Sequence, residues 1–138
     1  MRRATRPAGF TLVELCIVMT VAGLLLTVAW PSYRAQLLRG QRADAVAALQ
    51  RVQLAQESHR AFHGLYAAQL EALRGAGAAR SSEGRYDIAL HGGGAHYEAV
   101  ATARGDTLAA ADAACAELRL RVHDGLAEYA PSARCWNR

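Results

Sequence analysis

An apolar run near the N-terminus dominates the pattern of hydrophobic and polar positions. From Phe10 to Trp30 the only charged side chain is Glu14, and eight strongly apolar residues lie between Leu15 and Val28. As a helix, these 21 residues extend about 31 Å, which is enough to cross the apolar core of a bilayer. The eight side chains contribute roughly −2 to −5 kcal/mol to insertion, and Glu14 lies near the interface, where a charge costs less than at the centre. The run therefore predicts a membrane-spanning helix.

Helical spacing of apolar residues continues beyond Pro31. The predicted apolar stripe consists of Val46, Leu49, Val52, Ala55 and Phe62. The side chains predicted to lie mostly on other faces are those of Arg42, Gln50, Arg51, Glu57 and Arg60. Gly64 provides a stop signal, because glycine readily adopts the left-handed conformation that caps helix C-termini. We therefore expect the helix to end at about His63.

From Tyr86 onward, apolar and polar residues alternate with a period of two. The first predicted strand begins at Tyr86, and the second runs from Tyr97 to Ala103. The third contains the alternating Leu118, Leu120 and Val122, and the last runs from Leu126 to Tyr129. Gly92–Gly94 and Asp124–Gly125 supply the turns between them. The sequence therefore predicts an α+β fold, in which the C-terminal half of a long helix packs on a small antiparallel sheet.

Charge is concentrated at the N-terminus. The net charge is +4, and Arg2, Arg3 and Arg6 supply +3 of it within the first nine residues. The remainder carries 13 arginines and 12 acidic residues, a balance of +1. A nearly neutral body argues against bulk nucleic-acid binding. Positive charge ahead of an apolar run is instead typical of a segment whose N-terminus stays in the cytoplasm.

A cleaved secretory signal peptide is an alternative interpretation of this segment, with Thr27-Val28-Ala29 as its cleavage site. Two residues argue against it. A carboxylate such as Glu14 has no purpose within the apolar run of a disposable signal. Pro31 follows directly after the supposed cut, and the helical pattern resumes beyond it. The sequence favours a helix that is retained.

Residues suited to catalysis or cofactor binding do not form a recognisable pattern. Gly92–Gly94 lacks the lysine and the following helix of a phosphate-binding loop. His59 and His63 are spaced i, i+4, but no third metal ligand is evident nearby. We therefore expect no enzyme activity, no cofactor and no metal site.

Gly9-Phe10-Thr11-Leu12-Val13-Glu14-Leu15 closely resembles the type IV prepilin signature, and Gly23, Pro31 and Tyr33 extend the match. The resemblance implies that prepilin peptidase cuts after Gly9 and that Phe10 becomes the N-methylated first residue. Glu14 would be the acid that helps a subunit enter the fibre, since pairing with a terminal ammonium offsets part of the cost of burying each charge. Gly23 and Pro31 would give the helix flexibility in the pilus.

The C-terminal region strengthens this resemblance. Cys115 opens an alternating strand, an Asp-Gly hairpin follows, and Cys135-Trp136 lies close to the C-terminus. This arrangement is similar to the disulfide-bounded region of type IV pilins. A Cys115–Cys135 disulfide is therefore implied, in keeping with an oxidising compartment beyond the membrane. Cys16, the odd cysteine, would be sheltered by the bilayer.

The type IV pilin resemblance implies five segments: a leader (1–9), a transmembrane and filament-core helix (10–30), a continuing amphipathic helix (31–63), an αβ-loop (64–85) and a sheet with the disulfide-bounded region (86–138). It implies a structural subunit, held in the inner membrane with its head in the periplasm and then assembled into an extracellular pilus. Its expected partners are other pilin subunits, prepilin peptidase and the inner-membrane assembly machinery. The short head favours a minor pilin over a major one.

Two other functions remain open from the sequence. One is a pilus-borne DNA-uptake receptor, whose basic residues would be Arg119, Arg121 and Arg134. Asp124 and Glu128 lie close by in the sequence and count against such a basic patch. The other is a pseudopilin of type II secretion, which shares the N-terminal signature but more often has a calcium-bound loop than a Cys-to-Cys-Trp ending.

Overall fold

The computed structural model describes residues 9–73 and 79–138. The leader residues 1–8 and residues 74–78 of the predicted αβ-loop lie outside the described residues. The chain divides into two compact units, the first ending at Gln36 and the second beginning at Leu37.

One helix, α1, runs Leu12–His63 over 52 residues and includes Pro31. At its start the Glu14 amide donates a hydrogen bond to Thr11 Oγ1 at 3.2 Å, which satisfies one of the free N–H groups of the first turn. At its end Gly64 has a φ of 79° and donates its N–H to the Arg60 carbonyl at 2.8 Å. Gly64 thus caps the helix as the sequence predicts.

In the first unit the apolar side chains of α1 are exposed, among them Leu15, Val18, Leu25 and Trp30. The most apolar window of α1 has a mean hydropathy of 2.4, and none of it is buried. By length and composition this part of α1 can cross a membrane. Buried in lipid or in a filament, these side chains would be removed from water.

The second unit contains a four-stranded antiparallel meander in the order β1-β2-β3-β4. Its strands are β1 Tyr86–Gly93, β2 His96–Ala103, β3 Glu117–His123 and β4 Leu126–Ala130. Short 3₁₀ helices lie at Leu70–Ala72, Leu108–Ala111 and Ala113–Cys115. The predicted α+β fold, with a long helix on an antiparallel sheet, is confirmed.

One face of α1 packs on the inner face of this sheet. From α1 the buried residues include Ala45, Ala48, Leu49 and Val52. From the strands they include Tyr86, Tyr97, Ala99, Ala101, Leu118, Leu120 and Val122. The alternate strand residues form the outer face of the sheet, because successive side chains point to opposite sides.

Two predictions about the face of α1 are wrong. Phe62 is 84% exposed rather than part of the packed stripe. At about 3.6 residues per turn it lies roughly a quarter turn away from Val52 and so leaves the sheet. Arg42 is predicted to lie off the apolar stripe, yet it is only 4% exposed and shares the packed face with Leu49. An ion pair with Asp112 makes this burial tolerable.

Gln56 fixes the chain that leaves α1. It is fully buried, and its side chain donates to the Ala67 carbonyl at 2.9 Å and accepts from the Ala67 amide at 2.8 Å. Gln56→Ala leaves both backbone groups without a partner, so we expect a loss of about 2–3 kcal/mol in the free energy of unfolding. Urea unfolding of the full chain in detergent measures this loss. The exposed Gln50→Ala serves as control, and equal midpoints for the two variants would contradict the assignment.

Candidate nucleic-acid interface

A disulfide joins Cys115 to Cys135, with a Cα–Cα distance of 5.3 Å, and both residues are buried. The implied pairing is confirmed. It connects the segment just before β3 to the segment just after β4 and so closes the region that carries the predicted basic residues. Cys16 is free and exposed in the first unit.

We call residues 131–138 the C-terminal segment, and aromatic residues hold it in place. The Trp136 indole is buried and donates its Nε1–H to the Ala130 carbonyl at 2.9 Å. Its ring packs edge-on against Tyr129, with 4.8 Å between the centroids. The guanidinium of Arg138 lies over the Tyr129 ring, 4.3 Å from its centroid. The segment is thereby fastened to β4.

Arg134, one of the three arginines predicted to contact DNA, lies in the C-terminal segment and is exposed. Its carbonyl accepts hydrogen bonds from Arg42 Nη1 at 3.3 Å and from the Asn137 amide at 3.2 Å. Within residues 9–73 and 79–138, no carboxylate lies within ion-pair distance of its guanidinium. Its charge is thus available to an external anion.

Arg119 and Arg121, the other two, alternate with buried residues of β3 and therefore lie on the outer face of the sheet. Arg121 Nε donates to Glu98 Oε1 at 2.7 Å. Arg119 pairs with Glu117 at 2.5 Å and lies 3.6 Å from Glu98. The structure brings these two arginines together with glutamates, and it gives no contact between them and Arg134.

Glu98 is the centre of this charged cluster. The hydrogen bond from Arg121 lowers the pKa of its carboxyl, and the charges of Arg121, Arg119 and His91 lower it further, against the raising effect of burial. Glu98 therefore remains ionised at neutral pH. A DNA phosphate that approached this face would have to compete with it for the arginines.

A groove of about 540 Å³ lies beside Glu98 at the hairpin end of the sheet. Its charged and imidazole side chains are those of His91, His96, Glu98, Arg121, His123 and Glu128. His96 and His123 are cross-strand partners whose ring centroids lie 6.0 Å apart. Sequence reasoning did not single out His91 and His96. The glycine turn between them was the available signal. In the resulting hairpin His91 pairs with Glu98 and His96 pairs with Gly93, which places both histidines on the same face of the sheet.

The residues of the prepilin signature lie at the start of the first unit. Gly9 and Phe10 precede α1 and are exposed. Glu14 lies in the first turn of α1, and Gly23 and Pro31 lie within the helix. A Cβ added at Gly23 would meet no atom within 4 Å, so nothing in the chain itself requires glycine there.

His59 and His63 stack with 4.1 Å between their centroids. In the part of the chain that the structure describes, no three His, Cys, Asp or Glu side chains form a group suited to a metal ion.

An exposed apolar helical segment, an antiparallel sheet packed on the rest of the same helix, and a disulfide-bounded C-terminal region together define a type IV pilin. The family model described as "Prokaryotic N-terminal methylation motif" matches residues 5–30. The model described as "Type IV minor pilin ComP, DNA uptake sequence receptor" matches residues 31–119, more than half of the chain, and the chain belongs to this family. A comparison with curated proteins found no match.

The chain is thus a type IV minor pilin, which confirms the minor-pilin interpretation of the short head. Pilins assemble with other pilin subunits into a pilus, and the family match supports a structural subunit. The methylation motif and the exposed apolar helix fit anchoring in the inner membrane before assembly. The matched family is one of pilus subunits, which disfavours the pseudopilin alternative.

Proposed function

We propose that this minor pilin is a DNA-uptake receptor that presents its head from the pilus and binds DNA through arginines. The match of residues 31–119 to the minor-pilin receptor family carries the proposal. The exposed Arg134, free of a carboxylate among the described residues, supports it with a group suited to a phosphate. Arg119 and Arg121 contribute where DNA displaces their glutamate partners.

Arg134→Gln is expected to weaken DNA binding and to flatten its dependence on salt. Loss of one phosphate contact reduces the slope of log K against log salt by about 0.9 for duplex DNA. The measurement is a salt titration of the full chain in detergent with short duplexes from the source organism's genome, compared with unrelated duplexes of equal length.

Arg104→Gln is the control for this titration, because Asp106 already accepts two hydrogen bonds from Arg104, at 3.2 and 3.0 Å. We expect it to leave both affinity and slope unchanged. If wild-type protein bound neither duplex even at low salt, the receptor proposal would be wrong. If Arg134→Gln bound like wild type, DNA contact by Arg134 would be excluded.

Glu98→Gln is expected to strengthen DNA binding. The amide keeps the size of the side chain but removes the charge that pairs with Arg119 and Arg121. The Arg121 guanidinium then becomes available to a phosphate, whereas Arg119 keeps its pair with Glu117, so the salt slope should steepen by about 0.9. The exposed Glu71→Gln removes one negative charge elsewhere and serves as control. Equal affinities for the two variants would show that the outer face of the sheet does not contact DNA.

We further propose the processing route that the N-terminal residues imply. Prepilin peptidase cuts between Gly9 and Phe10 on the cytoplasmic side, Phe10 is methylated, and the inner-membrane assembly machinery moves the subunit from the bilayer into the pilus. Residues 10–30 form the membrane and filament-core segment, and Gly23 and Pro31 give it flexibility. Mass spectrometry of the membrane-extracted protein tests this route. A chain that begins at Trp30 would instead indicate a cleaved secretory signal.

A further inference from the structure

Arg42 is a buried charge on α1 that none of the roles proposed above uses. It lies on α1 with 4% of its surface exposed, and its Nε donates to Asp112 Oδ2 at 2.6 Å. The Asp112 side chain is itself only 10% exposed. Arg42 Nη1 donates to the Arg134 carbonyl at 3.3 Å. One guanidinium thus contacts two segments far apart in the sequence.

Each of these two contacts lies close in the sequence to a different cysteine of the disulfide. Asp112 precedes Cys115 by three residues, and Arg134 directly precedes Cys135. A third link comes from the same helix, where the Asn137 side chain donates to the Arg39 carbonyl at 3.2 Å. The disulfide holds two backbone positions close together, and Trp136 and Arg138 attach the segment to β4. The contacts with Arg42 and Arg39 add the attachment of the segment to α1.

A buried ion pair is a poor means of adding stability. Removing both charges from water costs several kcal/mol, and well-packed apolar residues of similar volume often do as well or better. An ion pair does, however, accept only one geometry, because the planar guanidinium must meet both of its acceptors at once. The arrangement is therefore better suited to fixing the C-terminal segment than to strengthening the core.

We propose that Arg42 is a positioning residue for DNA recognition, which rests on the proposed receptor function. Through Asp112 and the Arg134 carbonyl, it holds the C-terminal segment so that the side chains of Arg134 and Arg138 face DNA together. Arg42 itself makes no contact with DNA, since its guanidinium is enclosed by the protein.

The first test measures order in the C-terminal segment without any DNA. In the double variant Arg42→Met/Asp112→Leu, apolar side chains replace the ion pair, so the melting temperature of the full chain should stay close to that of wild type. Amide hydrogen exchange at 135–138 should nevertheless become at least about tenfold faster, because local opening no longer has to break the Arg42 contacts. Unchanged exchange rates in the folded double variant would overturn the proposal.

The second test measures DNA binding by the same double variant. We expect its affinity for the short genomic duplexes to fall about tenfold and its salt slope to fall by about one to two, as if phosphate contacts were lost. Arg51→Met, which removes an exposed arginine of the same helix, should bind like wild type. If exchange accelerated but DNA affinity did not change, the link from Arg42 to recognition would be wrong.

Arg42→Lys keeps the charge, but a single ammonium cannot bond Asp112 and the Arg134 carbonyl in the geometry of the planar guanidinium. Its exchange rates and DNA affinity should therefore lie between those of wild type and the double variant. It decides the matter if the double variant does not fold, since wild-type exchange and affinity in Arg42→Lys would overturn the proposal. If wild-type protein fails to bind DNA, the receptor function falls, and the exchange measurement still decides whether Arg42 orders the segment.

Discussion

Replacing Glu14 by alanine is expected to leave the protein in the inner membrane and to reduce its incorporation into pili by at least tenfold. In an apolar filament core, the proposed pairing of Glu14 with a terminal ammonium offsets the cost of burying either charge. Removing one partner of a buried pair costs about 3–5 kcal/mol, which is more than a hundredfold in an equilibrium. The measurement is the ratio of this protein in sheared pili to that in membranes, determined by immunoblot.

Glu71→Ala removes a carboxylate from the exposed surface of the head and serves as control for Glu14→Ala. We expect it to incorporate like wild type. The mass of the mature protein should show normal cleavage after Gly9 in both variants, which separates assembly from processing. Normal amounts of Glu14→Ala in sheared pili would contradict the assigned role of this acid.

Loss of the disulfide is expected to have the largest effect on stability. The Cys115–Cys135 bond closes a loop of 20 positions, so replacing both cysteines by serine should lower the free energy of unfolding by about 3 kcal/mol. This is a large share for a small head. Urea unfolding of the full chain in detergent, with non-reducing conditions for wild type, gives the value. Cys16→Ser, in the first unit, should not change it, and identical midpoints for all three proteins would contradict the prediction.

The sequence predicts the fold well because each element has a local signal. A long uncharged run and a helical period define α1, and Gly64 marks its end. Period-two alternation defines the strands, and the Asp124-Gly125 turn defines their last hairpin. The apolar run that exports the head predicts a disulfide between Cys115 and Cys135 in an oxidising compartment, and the resemblance to pilins supports the same pairing.

The candidate site is less predictable, because its pairings join distant parts of the chain. Arg42 meets Asp112 across 70 positions, and Glu98 meets Arg121 across 23. A local pattern therefore places Arg42 off the apolar stripe and does not reveal the glutamate partner of Arg121. Net charge does not describe individual side chains. A balance of +1 argues against bulk DNA binding by the body, but it gives no information on whether Arg134 has a carboxylate partner.

The most direct test of a minor pilin that acts as a DNA receptor is to delete the gene and measure two quantities in the same cells. These are the number of pili per cell and the uptake of labelled DNA from the organism's own genome. We predict near-normal numbers of pili with uptake reduced to background, restored by the wild-type gene. Undiminished uptake in piliated cells that lack the protein would contradict the account.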